Sequence, residues 1–373
     1  MRIGLMLRAW GERGGVGVYT RNLVRELLDL DAGHHYLLMW RQREHLGTFA
    51  GRPGVEERWL WAPGKAAWDQ LAVPWTAWRE RLDVVLHPKF TAPLLAPCPA
   101  VMVVHGADWW RPEEARFYGW LDTRYVRAFM PLYFRKCAAV ISVSHQSTAG
   151  FERALRPPAG KLRTVHFGPA SCFRTVDDPA ELERVRARHR LPARFFLTVA
   201  KASAARRKNL PGLLDGYRRY HRSSPEPLPL VVVGEVGDRG ALGLPAGGWG
   251  GDVHLTGWLE QAELPAVYSL ATAFLYPSHL EAFPIPLTEA MACGTPIVTS
   301  ERDGPREIAG DAARFVDPDD PGAIAAALRA VATDPELRRE LRRRGLERVP
   351  LFSWRRCAER VLAILEEVAE EEA

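Results

Sequence analysis

The chain has 373 residues, of which 47% are hydrophobic and 25% charged, with a net charge of +5. That length exceeds one ordinary core and suits two domains of a soluble globular protein. No apolar run reaches the roughly 18 residues of a membrane span, and the opening MRIGLML is too short for a signal peptide, so a cytoplasmic protein is expected.

Five cysteines, Cys98, Cys137, Cys172, Cys293 and Cys357, are dispersed without a CxxC pair. This argues against a disulfide framework or a zinc site. Charge is uneven: residues 1–170 hold 23 Lys/Arg against 15 Asp/Glu, and residues 171–373 hold 27 against 30. A basic first half suits an anionic partner such as lipid, nucleic acid or a phosphorylated substrate. A solvated Arg-rich surface fits the same numbers.

In chain order, the short run RIGLML leads into the helical pattern VYTRNLVRELLDL. The runs LDVVLHP, PAVMVVHG and AAVISVS follow, each with a polar or helical segment behind it. The rhythm restarts after residue 170 with RFFLTVA, NLPGLLDGYRRYH, LPLVVVG, DVHLTGW, LPAVYSLA, TAFLYPS, LTEAMAC and TPIVTS. Alternating strands and helices predict parallel sheets covered by helices. The expected fold class is therefore α/β, with two Rossmann-like domains facing each other across a cleft. Their expected bounds are 1–170 and 171–352. A last helix from Ser353, with Trp354, Cys357, Val361, Leu362 and Leu365 at helical spacing, is expected to return to the first domain. Its acidic tail EEVAEEEA reads as frayed.

Four stretches carry chemistry. In GERGGVGVYT, Gly14, Gly15 and Gly17 stand where a strand gives way to a helix, a place where backbone approaches an anion closely. The glycines fall short of a dinucleotide fingerprint, and a plain tight turn explains them equally. His105 ends the strand VMVVHG. In KASAARRKN, the cations Lys201, Arg206, Arg207 and Lys208 follow another strand and suit a pyrophosphate, although a solvated basic loop has the same composition. Asn209 and Pro211 mark a helix start there.

The fourth stretch, HLEAFPIPLTEAMACGTPIVTS, places Glu281 and Glu289 eight positions apart with Pro284 and Pro286 between them. The prolines forbid one solvated helical face. Glu289 is expected in the first turn of a helix facing the cleft, and Glu281 in the loop before it. One acid would then bind sugar hydroxyls and the other ribose hydroxyls, with a diphosphate between. A helix-dipole role for Glu289 is the plain alternative.

Together these residues resemble glycosyltransferase family 4, retaining enzymes of the GT-B fold. The most specific part is the Glu-x7-Glu pattern from Glu281 to Glu289, and RKN, HLTGWL, the strand-end His105, the glycine loop and GPREIAGDAARFVDPDD fall in family order. The resemblance implies that Lys208 and a nearby Arg stabilise the departing nucleoside diphosphate. It implies that Glu281 contacts the donor sugar, Glu289 the ribose, and His105 the sugar ring near the reacting centre. Gly15, Gly17, Lys201, Arg206, Arg207, Phe283 and Ile285 would line the donor. No cofactor and no metal are expected, since side-chain cations and backbone dipoles carry the charge. Three departures stand out: Ala282 and Pro284 replace frequent glycines, Ala200-Lys201 replaces a frequent Gly-Arg, and Gly106 follows His105 where Asp is frequent.

The expected activity is retaining transfer of a hexose from a nucleotide-diphosphate sugar to a glycan, lipid-linked or small-molecule acceptor. GDP-mannose is favoured by resemblance to bacterial mannosyl- and rhamnosyltransferases. The competing readings are a nucleotide-sugar epimerase of the same shape and a non-catalytic nucleotide-sugar-binding partner in glycan assembly. Nucleic acid is not an expected partner. Peripheral contact with an anionic membrane is read from KAAWDQLAVPWTAWRER, where Trp68, Trp75 and Trp78 mix with Lys65, Arg79 and Arg81. Packing of those tryptophans in a core is the alternative.

Overall fold

The computed structural model describes residues 1–30, 32–236, 240 and 252–371. The chain divides into two compact units, Met1–Phe167 with the segment from Ser353, and Gly168–Phe352. Each is built on one parallel sheet, as the alternating pattern led us to expect. No helix among the described residues is long and apolar enough to cross a membrane.

The first unit holds seven strands: β1 Arg2–Met6, β2 His35–Trp40, β3 Val55–Trp59, β4 Val84–His87, β5 Ala100–Val104, β6 Ala139–Ser142 and β7 Leu162–Thr164. They pair in the order β3-β2-β1-β4-β5-β6-β7, every pair parallel. β4, β5 and β6 are buried at every position. Burial on both faces removes any need for alternation, so such strands read as unbroken apolar runs. β3, VEERW, and β7, LRT, have no fully buried position. They are the two edges of the sheet, and charges on an edge discourage further pairing.

The helix Gly15–Asp29 buries Tyr19, Leu23, Val24, Leu27 and Leu28 along one stripe. Each such aliphatic side chain contributes about 1.5–3 kcal/mol when fully buried. The last helix, Trp354–Glu371, belongs to this unit and packs its apolar stripe on the first helix. Trp354 stacks on Phe167 at 4.6 Å and meets Tyr19 edge-on at 5.4 Å. The acidic tail is not frayed as far as Glu371. Glu366 accepts from His34 at 2.8 Å, and Glu367 pairs with Arg163, so the first two acids of that tail are tied to the unit. Residues 372 and 373 lie outside the described residues.

Despite Pro74, Lys65–Arg79 runs as a continuous helical segment: α-helical Lys65–Ala67, a π turn Trp68–Ala72, then α-helical Val73–Arg79. Pro74 sits in the first turn of the last piece, where its missing N–H costs little, and the wider π turn precedes its ring.

The second unit holds β8 Phe196–Val199, β9 Leu230–Val233, β10 Val253–Gly257, β11 Ala273–Tyr276, β12 Ile297–Ser300 and β13 Ala313–Val316. Their order is β10-β9-β8-β11-β12-β13, again all parallel. The helices Leu210–Ser223 and Pro321–Thr333 pack side by side, and Leu213, Tyr217, Ile324 and Leu328 seal one core with Leu230 and Leu275.

Candidate functional site

In the second unit the connections leave β8 and β11 toward opposite edges of the sheet. The crevice beyond the carboxyl ends of such a strand pair is where open α/β sheets bind ligands. Both motif loops arrive there.

β8 runs into Ala200 and Lys201, then a 3-10 turn, Ala202–Ala204. The turn tightens as Lys208 N–H donates to the Ala204 carbonyl at 2.8 Å. Asn209 takes the left-handed conformation at φ 54°, which Asn tolerates through its short polar side chain. Its Oδ1 accepts from Gly212 N–H at 3.2 Å, capping the helix Leu210–Ser223, and its Nδ2 donates to the Pro318 carbonyl at 2.6 Å. The predicted helix start is therefore correct, and it fixes Arg207 and Lys208 immediately before the cap.

The loop after β11 is bonded to the one after β8. His279 N–H donates to the Arg207 carbonyl at 2.9 Å, and Arg207 Nη1 donates to the Leu280 carbonyl at 2.9 Å. The same Nη1 lies 3.0 Å from Glu281 Oε2. Tyr276, the last residue of β11, donates to Glu281 Oε1 at 2.7 Å, and Lys208 Nζ lies 5.3 Å from its ring centroid. Tyr268 donates to Glu289 Oε2 at 3.1 Å. Arg207, Lys208, Tyr268, Tyr276, Glu281 and Glu289 thus form one cluster of two cations, two carboxylates and two phenols.

The charges within it act on one another. Burial pulls the Lys208 ammonium pKa down, and Glu281 and Glu289 oppose that pull. Burial pushes the Glu289 carboxyl up to about 7, with the Tyr268 hydrogen bond and Lys208 holding it from going higher. Tyr276 is held well above an ordinary phenol by burial and by Glu281. Such a cluster suits a ligand with an anionic part and several hydroxyls. The cations donate to phosphate oxygens, and the spare lone pairs of each carboxylate accept from sugar hydroxyls.

Several expectations need correction. Glu289 is not in the first turn of its helix, which spans Ile285–Ala292 and has no acid in that turn. It is one turn further in, aimed at Tyr268. Arg206 is exposed, and Arg207 is the arginine joined to Glu281. Lys201 is partly buried. Phe283 is buried, with its ring edge-on to Phe352 at 5.9 Å. Ile285 opens the helix between two prolines that offer no N–H, and Leu287 N–H is used by the Pro284 carbonyl.

Within the first unit, Gly15 is the first residue of its helix, which has no side-chain cap. Space beside Gly14 is open. Gly17 is different: a Cβ there would lie 1.9 Å from the Glu12 carbonyl oxygen, so its close approach is to the chain's own loop. Arg21 donates to that carbonyl at 3.2 Å and holds the loop down. His105 follows β5. Its Nε2 faces the Pro88 carbonyl at 3.0 Å and must be the protonated nitrogen, since a carbonyl only accepts. Burial lowers its pKa to about 4, so the ring is neutral at pH 7. Tyr19 and Phe90 pack edge-on against it at 4.9 and 5.5 Å.

Beneath this loop lies a buried polar network that our sequence reading missed. Arg8 Nε stands 3.1 Å from Asp69 Oδ1, Thr91 donates to Asp69 Oδ2 at 2.8 Å, and Arg8 Nη2 donates to Thr91 at 3.2 Å. His87 Nδ1 donates to the Thr91 carbonyl at 2.6 Å. Arg8 stands two residues past the end of β1 and Tyr276 ends β11, so strand-end position would have flagged both. Asp69 and Tyr268 lie in helical segments and carry no such signal.

The comparisons agree with this architecture. The family model described as "Glycosyltransferase Family 4" matches residues 13–168, and that described as "Glycosyl transferases group 1" matches residues 182–348. Among curated relatives, O-antigen chain mannosyltransferase B of Escherichia coli is 29% identical over 58% of this chain and 58% of its own. MMP alpha-(1->4)-mannosyltransferase of Mycolicibacterium hassiacum is 29% identical over 70% of this chain and 61% of its own. The matched region thus spans under two thirds of either relative. Among solved structures, sucrose-phosphate synthase from Thermosynechococcus elongatus superposes with a TM-score of 0.76 at 18% identity, covering 99% of both chains. Anabaena HepE in complex with UDP and glucose gives 0.73 at 16% identity, covering 98% of this chain and 99% of its own. With each unit matched by its own model, in family order, and the fold shared almost end to end with solved glycosyltransferases, the chain belongs to the family 4, group 1 glycosyltransferases and has the GT-B fold.

Proposed function

We propose that the protein transfers a hexose, with mannose from GDP-mannose favoured, from a nucleotide-diphosphate sugar to a glycan or lipid-linked acceptor with retention of configuration. The observation that carries this reading is the Arg207–Lys208–Glu281–Glu289 cluster at the β8/β11 crevice. Arg207 and Lys208 take the diphosphate, Glu281 the sugar hydroxyls and Glu289 the ribose hydroxyls. His105, a neutral ring in the first unit, serves as a hydrogen-bonding contact for a sugar hydroxyl. The mannosyltransferase names of both relatives support the choice of sugar. Retention is supported by the state of the two acids. Each already accepts from a phenol and is assigned to hydroxyl binding, so neither is placed as the base of an inverting attack. The leaving diphosphate then takes the acceptor's proton, and the cations stabilise its charge without a metal.

Thermal stabilisation by GDP, UDP, ADP and dTDP identifies the base, because a ligand of the folded state raises the melting temperature by mass action. Turnover with the matching α-linked donor in the presence of a chelator should give an α-linked product, read from the anomeric coupling in proton NMR. A β-linked product would overturn the mechanism.

Glu289 also sets a pH dependence. Its folded pKa, about 7, lies above the unfolded value of 4.5. The folded state therefore binds more protons between these values, and stability falls as pH rises from about 4.5 to about 7. Glu289→Gln should remove this fall, so the variant's melting temperature relative to wild type should rise between pH 5 and pH 8. Ribose hydroxyls bond best to the ionised acid, so donor affinity should climb with pH and level off above about 7. Parallel melting curves for the two proteins across that range would refute the assignment.

For the membrane contact a second surface is proposed beside the 65–81 stretch, in which Trp75 and Trp78 are each 61% exposed. Trp68 is wholly buried. The helix Trp120–Lys136 instead exposes Leu121, Tyr125, Phe129 and Leu132 along one stripe. Arg124, Arg127, Arg135 and Lys136 accompany them against Asp122 alone. Apolar stripe plus excess cations is the composition of an interfacial helix. The protein should float with anionic vesicles at low salt and come off at high salt, and Tyr125→Ser with Phe129→Ser should weaken flotation. Equal behaviour with anionic and neutral vesicles would remove this part of the reading.

A further inference from the structure

The continuous helical segment Lys65–Arg79 builds more than a wall of the first unit. Between it and the chain leaving β3 lies a groove of about 450 Å³, lined by Trp59, Trp61, Leu71, Trp75, Thr76 and Arg79 among others. That volume lies within the range of small-molecule sites. Trp61 and Trp75 are 71% and 61% exposed, and neither indole N–H has a hydrogen-bond partner among the described residues. Trp78 packs beside Trp75, with ring centroids 5.0 Å apart.

Two observations say what this surface is for. The first is charge. Arg79 lies 3.8 Å from Glu80, and Arg58 lies 3.1 Å from Glu56. Between residues 56 and 83, leaving out the buried Asp69, four cations stand against four acids, so the surface has no excess charge to attract an anionic headgroup. It differs in this from the helix Trp120–Lys136. The second is attachment. The π turn that carries Leu71 into the groove carries Asp69 inward to Arg8 and Thr91, at the carboxyl ends of β1 and β4. Gln70, between them, bonds the Ala92 carbonyl and the Leu94 N–H, each at 2.8 Å. The groove is therefore a rigid extension of the strand-end crevice of its own sheet, where β1 and β4 lead to opposite edges.

Rigid indole faces with free N–H groups and no net charge match a neutral ligand that has C–H faces and hydroxyl edges. We propose that the groove is a binding surface for a neutral oligosaccharide, holding sugar rings of the acceptor or product chain away from the reacting one. Indole faces stack on pyranose rings, and the free indole N–H groups and Arg79 donate to hydroxyls. The inference rests on the transferase reading only for its choice of ligand class.

The test uses the full chain and Trp61→Ala with Trp75→Ala. Tryptophan fluorescence and saturation-transfer NMR are recorded with short mannose- and glucose-linked oligosaccharides, and flotation with zwitterionic and anionic vesicles. Wild type should bind at least one oligosaccharide series, and the double variant should bind it at least tenfold more weakly. Nucleotide stabilisation of the variant reports that it is folded. Absence of binding by wild type to every oligosaccharide, or equal binding by the variant, would overturn the proposal. So would vesicle binding that depends on Trp61 and Trp75 while sugars fail to bind. Failure of the transferase reading looks different: sugars bind, but no nucleotide stabilises the protein and no donor is turned over.

Discussion

Lys208→Ala should lower turnover a hundredfold or more, because loss of one charge contact made to the transition state typically costs that much. In a solvated loop after a strand, such a loss would cut turnover far more than stability. The structure changes that expectation. Lys208 sits over the Tyr276 ring, and burial already depresses its pKa. Without it Glu281 keeps Arg207 and Tyr276, whereas Glu289 keeps only Tyr268 and should be protonated at neutral pH. Removing one partner from a buried set of charges costs about 3–5 kcal/mol when the remaining charge cannot neutralise, and protonation of Glu289 should reduce that. Lys208→Met, which keeps the aliphatic stem over the ring, separates the two effects. Single-turnover rates and melting curves of both variants are the measurement. Near-normal rates in either folded variant would take Lys208 out of the mechanism.

Gly304→Ala should damage both the stability and the site of the second unit. Gly304 lies in the first turn of the helix Asp303–Ala309, and a Cβ there would come 1.7 Å from the Glu281 carbonyl oxygen. Backbone, not a flexible side chain, is what it would meet. Either the helix or the loop must move, at a cost of about 1–3 kcal/mol. The loop carries Glu281 itself, and a shift of about 1 Å in a positioned group can cost about a hundredfold in rate. Donor KM should rise and the melting temperature should fall together. A variant unchanged in both would show that the loop is not held where the structure has it.

Much of this was legible in the chain itself. Short apolar runs such as AVMVV and LVVV alternate with longer helical patterns, and that alternation predicts parallel sheets without tertiary information. The stripe of the last helix and the cap at Asn209 were equally readable, since both depend on neighbours within one or two turns. The Glu-x7-Glu spacing around two prolines identified the loop that does meet the cations.

Only the tertiary structure decided the rest. β3 and β7 carry too few apolar residues to announce a strand, and they are strands because a neighbour offers them hydrogen bonds at the sheet edge. The choice of Arg207 over Arg206 depends on which side of the turn before Asn209 faces Glu281, a difference of one residue that local propensity cannot resolve. Tyr268 and Tyr276 entered the site because the chain packs their hydroxyls against Glu289 and Glu281, 21 and 5 residues away. The π turn before Pro74 and the buried pair of Arg8 with Asp69 likewise depend on long-range packing. The sequence by itself determined the buried strands of both sheets, the apolar stripe of the last helix and which loops carry charge. The folded chain decided which of those charges meet, because hydrogen bonds and ion pairs act over a few ångströms that only packing brings about.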